Sequence, residues 1–298
     1  MSSDQIHWDY WRSFAAVMDE GSLSGAAAVL GLTQPTLGRH VEALEDALGT
    51  TLFVRSVRGL SPTDTALALR PHAQAMAQAA AALVRSASGP ADALEGTIRL
   101  TASEFVGANV LPEILAEFGD MHPGIAVELV LSDRTDDLTG RAADIAVRMV
   151  KPTQAALVAK WIGEVHIGLY AHRRYVERHG VPESLSGDLS GHRFIGYDAD
   201  TRALEAVGAV GLNLSRETFS FRADRDAAQL ALLRAGAGIG ACQRPAAQRD
   251  PDLVPVAADE FGFDLGIWLV MHEDLRKIAR MRAMFDHLAH GLSGYLDV

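Results

Sequence analysis

TQPTLGRHVEALEDALGTTLFVRS, residues 33–56, opens polar, becomes an apolar ladder and closes on an arginine-containing strand. Thr33 is placed to cap a helix, and Pro35 falls in its first turn, where a missing N–H costs little. Leu37, Val41, Leu44 and Leu48 recur at helical spacing and form one stripe. At about 100° per residue, Pro35, Thr36 and Arg39 point away from that stripe. One face of such a helix is held, and the other offers polar and cationic groups. Gly49 ends it. TLFVRS and the residues after RG, Leu60 and Ser61, are expected to pair as a two-stranded wing with Arg55 and Arg58 near its tip.

The surface that holds the stripe lies upstream. WDYWRSFAAVMDEG has Tyr10, Phe14, Val17 and Met18 at helical spacing, and Gly21 stops it. Ser22 is the next cap, and SLSGAAAVLG forms a short helix ending at Gly31. Downstream, Thr63 to Ser86 is alanine-rich and helical, about 36 Å long at ~1.5 Å per residue. Pro71 is expected to bend it or loosen one turn. SGPAD, residues 88–92, marks a boundary.

Beyond that boundary the pattern changes. GTIRLTA (96–102) reads as a buried strand, followed by a helix, the strand IAVELVLSD (125–133), a short helix and DIAVRMV (144–150). HIGLYAH, RFIGYDA, RDAAQLALLRAG and GIGACQR make a second set, and LRKIARMRAMFDHLAHGL (275–292) closes as a long helix. Strand–helix alternation of this kind predicts an α/β domain with a largely parallel sheet, here in two lobes.

Two short helices joined by a glycine-containing turn make a helix-turn-helix. The order SLS-x-AA, TQP, LE-x-x-LG, LF-x-R and an RG wing tip, dense over residues 8–65, resembles the DNA-binding domain of the LysR-type transcriptional regulators. GTIRLTAS, HPGIAVELVLSD, RAADIAVRM, YVERHGVPESLSGDL and LLRAGAGIGACQ extend the resemblance more loosely over the rest. The resemblance implies a fold of three parts. Residues 1–62 are an all-α winged helix-turn-helix, 63–90 a linker and dimerisation helix, and 91–298 an α/β, two-lobed effector domain like periplasmic binding proteins. Its first lobe takes 91–162 and 267–298, its second 163–266, with candidate crossovers at 161–171 and 262–270. The partners implied are double-stranded promoter DNA, a small-molecule effector and further copies of the chain, as homodimer or homotetramer. Two departures stand out. Gly38 occupies a position where the family often has serine, at a helix cost of roughly 1 kcal/mol against alanine. SPTDTA (61–66) replaces an LTPAG-like start of the linker helix.

Charge argues the other way at first. The formal net charge is −11, and residues 1–62 hold four arginines against seven acids, whereas phosphate binding rests on cations. Distribution matters more than the sum. Arg39, Arg55 and Arg58 cluster on the reading helix and wing, with His40 beside them, while most acids lie on the first helix or late on the third. Binding is therefore expected to need two or more wings and the help of helix N-termini. One cysteine, Cys242, excludes an internal disulfide, and MSSDQIHWDYWR has no apolar leader core, so a cytoplasmic protein is expected.

Gln34, Pro35, Thr36 and Arg39 are the candidates for base edges: Gln for adenine, Arg for guanine, carbon surface for a thymine methyl. Thr33, His40, Arg55, Arg58 and Ser22 complete the expected DNA face. On the linker helix, Leu67, Leu69, Ala73, Met76, Ala80 and Leu83 offer apolar surface for a partner helix. Ligands of open α/β sheets bind at the carboxyl ends of strands. That rule selects Ser103, Glu104, Ser132, Asp133, Arg134, Arg148 and Met149 from the first lobe, and Tyr197, Asp224, Arg225 and Gln243 from the second. Arginines beside a helix N-terminus suit a carboxylate; the competing reading makes them interlobe or surface ion pairs.

GAGIG (236–240) follows a helix and reads as a turn into a strand rather than a phosphate loop. His287 and His290 share a helix face without a third ligand, so a surface pair is expected and neither metal nor cofactor is. No G-x-S-x-G or other nucleophile motif points to catalysis. A solute-binding protein or an α/β enzyme on the same lobes is the alternative, disfavoured by the reading helix.

Overall fold

The computed structural model describes residues 6–56, 59–87, 92–132, 143–152, 157–199 and 216–297. The chain divides into two units, one within residues 1–87 and one drawn from the residues after them.

In the first unit, α1 (Trp8–Glu20), α2 (Leu23–Leu30) and α3 (Gln34–Leu48) follow one another across tight turns. Each ends on a glycine at φ 66°, Gly21, Gly31 and Gly49, where a side chain would be strained. Phe14, Leu37 and Leu44 are fully buried, each worth about 1.5–3 kcal/mol of burial. Ala26 and Ala27 of α2 are buried beside Val17, Leu37 and Val41, and small side chains there let the helices approach closely. β1 (Phe53–Ser56) pairs antiparallel with β2 (Gly59–Pro62) to form the wing.

α4 (Asp64–Ala87) runs through Pro71 as one assigned helix. Thr63 Oγ1 accepts from the Ala66 N–H at 3.3 Å and donates to Thr51 O at 2.9 Å, capping the helix and tying it to the base of the wing. The SPTDTA sequence thus starts the helix with its own threonine cap. Arg70 and Gln74 both donate to the Asp19 carboxylate, at 3.1 and 3.0 Å. The expected apolar stripe divides. Ala66 and Ala73 are buried in the N-terminal core with Leu69 against it, whereas Met76 and Leu83 are 42% and 67% exposed and Leu67 lies open as well.

The second unit holds one mixed sheet, nine-stranded among the described residues. β3 (Gly96–Ala102) runs parallel to both β4 (Ile125–Leu131) and β5 (Ile145–Arg148). α5 (Glu104–Asn109) and α6 (Leu111–Met121) lie between β3 and β4 in sequence. The long β6 (Leu157–His172) leads to α7 (Arg173–His179), β7 (Phe194–Gly196), β8 (Phe219–Arg222), α8 (Asp226–Arg234), β9 (Ile239–Gln243), α9 (Arg244–Gln248) and β10 (Leu253–Val256). β11 (Phe263–His272) returns, and α10 (Ala279–Leu296) closes the chain.

The expectation of a largely parallel sheet needs correction. β6 and β11 pair antiparallel from Leu157–His272 to Ile167–Phe263, and β6 pairs antiparallel again with β9 and β10 beyond that point. These two strands cover the stretches expected as crossovers. Both finish alike: His172 Nδ1 accepts from the Arg174 N–H and His272 Nδ1 from the Asp274 N–H, each capping the turn that follows. Around them sit separate cores. One gathers Ile98, Leu100, Phe118, Ile145, Ile267 and Leu288. The others, beyond the switch, gather Leu169, Tyr175, Phe194 and Ile239 on one side and Tyr170, Leu230, Leu233 and Cys242 on the other.

Gly236 turns at φ 70° between α8 and β9, and a Cβ on Gly238 would stand 2.4 Å from Arg193 O, so GAGIG serves a tight turn and a close backbone approach. The boundary at 88–91 and the short helix expected after Asp133 lie outside the described residues.

Candidate nucleic-acid interface and effector cleft

Local chemistry sets the α3 N-terminus. Thr33 sits in extended backbone, its Oγ1 3.4 Å from the Thr36 N–H and 2.8 Å from Thr36 Oγ1. Gln34, Pro35 and Arg39 are exposed while Leu37, Val41 and Leu44 are buried, so the helix turns its polar start outward. Ser22 Oγ accepts from the Gly25 N–H at 3.1 Å and caps α2. A Cβ on Gly25 would stand 2.9 Å from that oxygen, which explains the small residue inside SLSGAA. Gly38 has open space where a Cβ would be and needs no left-handed φ, so packing does not demand it.

His40 goes elsewhere. Its Nδ1 is 2.8 Å from the hydroxyl of buried Ser13, and its ring lies 5.3 Å from that of Tyr10. One residue past Arg39 is 100° around the helix, enough to carry His40 from the outer face to the seam with α1. His40 thus packs at the seam between α3 and α1 while remaining half-buried. Arg55 lies in β1 opposite Leu60; its side chain and the whole of Arg58 are outside the described residues.

Glu45 was counted only as an acid in the sequence. Its Oε1 accepts from the backbone N–H groups of Leu52 and Phe53, at 2.5 and 3.1 Å, and so anchors the wing to the reading helix. A helix-borne carboxylate eight residues before a strand gives no periodic signal.

In the second unit, strand register brings three expected residues together. Ala102 pairs with Leu131 on one side and Val147 on the other, so Ser103, Ser132 and Arg148 stand next along three adjacent strands. Ser132 N–H donates to Ala102 O at 2.9 Å. Arg148 is 5% exposed and donates to Thr101 Oγ1 at 3.3 Å and Val147 O at 3.1 Å. Ser103 Oγ is buried and has no hydrogen-bond partner among the described residues. A buried polar group in that state is expensive unless something else meets it. Met149 is half-buried against the neighbouring core. Asp133 and Arg134 lie outside the described residues.

The residues expected from the second lobe are largely engaged in holding the fold. Asp224 Oδ1 accepts from the N–H groups of Asp198 and Ala199 at 2.8 and 3.0 Å. Tyr197 donates to Asp226 at 2.9 Å. Gln243 Oε1 accepts from Tyr295 at 2.8 Å in a buried bond between β9 and α10. Arg249 lies over the Tyr295 ring at 4.7 Å. Arg225 lies 3.8 Å from Glu104, an ion pair between α8 and α5, with Arg225 79% exposed. Asp224, Tyr197 and Gln243 were selected by position alone, and nothing in the sequence marked their distant partners.

His287 Nε2 donates to Ile114 O at 2.7 Å and its ring packs 5.4 Å from that of Phe118, so it holds α10 to α6 rather than forming a surface pair with His290. Among the described residues no group of three potential metal ligands occurs. Burial pushes the Cys242 thiol up to about 12 despite the opposing Arg234 charge, which suits a buried structural residue. No helix of the described residues is long and apolar enough to cross a membrane.

A winged helix-turn-helix and a mixed α/β unit with two sets of cores define a DNA-binding protein of the ligand-responsive class. Residues 8–67 match the bacterial regulatory helix-turn-helix family of the lysR type, and residues 91–293 match the LysR substrate binding domain. The chain belongs to the LysR-type transcriptional regulators, DNA-binding proteins with an effector-binding domain. It is 28% identical over 284 residues to a probable HTH-type transcriptional regulator, LtrA, of Klebsiella pneumoniae, covering 93% of this chain and 92% of that one. The structure of CrgA, a LysR-type transcriptional regulator from Neisseria meningitidis, superposes with a TM-score of 0.60 at 26% identity, covering 95% and 98% of the two chains. CbnR, solved in complex with its target DNA, shares the fold with a TM-score of 0.63 at 19% identity, covering 96% and 99%.

Proposed function

We propose that this chain is a cytoplasmic, oligomeric promoter-binding regulator without catalytic activity or cofactor. Gln34, Pro35, Thr36 and Arg39 read base edges, while Ser22, Thr33, Arg55 and Arg58 face phosphates. The observation that carries this reading is the capped α3 start, exposed at Gln34, Pro35 and Arg39 and anchored at Leu37, Val41 and Leu44. Four arginines against seven acids make a single copy a poor ligand for DNA. The second copy is held through the end of the α4 stripe, Met76 and Leu83, which is exposed among the described residues. The effector is a small carboxylate at the ends of β3, β4 and β5, where Ser103 and Arg148 lie on adjacent strands. It acts only so far as it binds one conformation better than another.

The test is a gel shift on the promoter upstream of its own gene. Arg39→Ala should lose about 5- to 150-fold in preference over random DNA, from about 1–3 kcal/mol per bidentate base contact. Leu83→Lys should give a monomer that binds weakly. Undiminished discrimination by Arg39→Ala would overturn the base assignment, and tight operator binding by a strict monomer would overturn the oligomer requirement.

A further inference from the structure

On β6, residues 166, 168 and 170 share one face by strand alternation. His166, Gly168 and Tyr170 line a cavity of about 440 Å³ that is separate from Ser103, Ser132 and Arg148. Arg244 and Gln248 of α9 bring polar groups to its rim, and Leu253 and Phe261 give it apolar wall. Space of this size fits a small ligand.

Two features point to what that ligand is. Tyr170 is 7% exposed and lines the cavity. Gly168 gives the Tyr170 ring its place, since a Cβ there would stand 3.3 Å from the ring edge. Burial raises the Tyr170 pKa, the nearby Cys242 adds to the rise and the Arg244 charge opposes it. The phenol is therefore a protonated donor, and Arg244 stands in the wall of the same cavity. Of the neighbouring arginines, Arg234 is paired with Asp250 and Arg249 lies over Tyr295, whereas exposed Arg244 faces the cavity.

We propose that this cavity is a second ligand site, taking a small organic anion with an apolar body, on the order of ten heavy atoms. Arg244 and the Tyr170 hydroxyl hold the carboxylate, Gln248 offers its amide, and the Leu253–Phe261 wall covers the hydrocarbon. The location gives the site its consequence. After Ile167, β6 loses β11 from one edge and gains β10 there from Leu169, while β9 pairs along its other edge from Ile167 to Ala171. An occupant braces α9 and β10 against the strand segment that joins the two sets of cores, so it acts on the hinge without entering the β3–β5 site.

Calorimetric titration of the full chain tests this with hexanoate, and with hexylamine as the same body carrying the opposite charge. Hexanoate should bind and hexylamine should not. Arg244→Ala, an exposed position that should leave folding intact, should weaken hexanoate at least about tenfold, the scale of a charge-assisted bond. Tyr170→Phe should weaken it less, and Ser103→Ala should leave this binding event in place. No heat with hexanoate overturns the proposal, as does equal binding of hexylamine or affinity unchanged by Arg244→Ala. A binding event removed by Ser103→Ala but kept by Arg244→Ala would place hexanoate at the β3–β5 ends, supporting that site and refuting this one.

Discussion

Replacing Glu45 by alanine removes the acceptor of two backbone hydrogen bonds, from Leu52 at 2.5 Å and Phe53 at 3.1 Å. A hydrogen bond to a charged group contributes about 1.5–3 kcal/mol. The two share one oxygen and Glu45 is half-buried, so water recovers part of the loss; about 2–3 kcal/mol is the expected net cost. The described part of the N-terminal unit lies within residues 6–87. For a domain of that size each kcal/mol shifts the melting temperature by about 4–8 °C, giving a fall of about 10–20 °C. The chain has four tryptophans, and Trp8 and Trp11 both lie in α1. With Trp161 and Trp268 changed to phenylalanine, fluorescence melting reports this unit. Glu45→Gln, which keeps a neutral acceptor, should lose roughly half as much. A Glu45→Ala protein melting within about 3 °C of its parent would show that the carboxylate does not hold the wing, and the reasoning would fail.

Tyr295→Phe should cost about 1–3 kcal/mol in urea unfolding of the second unit, because the buried Gln243 acceptor loses its donor. Faster hydrogen exchange in β9 and α10 would accompany it, and unchanged exchange would count against a lock between them. Cys242 predicts a pH dependence: its thiol is raised from the ordinary 9.0 to about 12 by burial. Below pH 9.0 it is neutral folded or unfolded and costs nothing; above it the unfolded chain ionises first, so stability falls as pH rises toward about 12. Urea midpoints of the native chain and Cys242→Ala should diverge over that window, and parallel curves would contradict the burial argument.

The helix-turn-helix could be read from the chain because its signals are local. Thr33, Pro35, Gly31 and Gly49 act within one turn of where they stand, and the Leu37–Val41–Leu44 stripe repeats within four residues. The strands GTIRLTA and DIAVR were readable as short apolar runs, and their carboxyl ends gave Ser103 and Arg148. The pattern did not show strand direction. β6 and β11 have the same kind of apolar run as β3, but they pair antiparallel across more than 90 residues of chain. It also did not show which polar residues were already engaged. Asp224 and Gln243 looked available at strand ends, yet one serves the backbone at Asp198 and Ala199 and the other meets Tyr295, 52 residues away.

By itself, then, the sequence determined the caps, the buried stripe and the outward face of the reading helix, because those depend on dihedral preferences and a 3.6-residue period. Tertiary structure alone decided that His40 turns inward to Ser13 and that Glu45 holds the wing. It alone split the α4 stripe between its own core and an open end, and opened a cavity beside Tyr170. Those outcomes rest on pairing between residues far apart in sequence, and a hydrogen bond or a packed ring leaves no periodic trace in the chain that makes it.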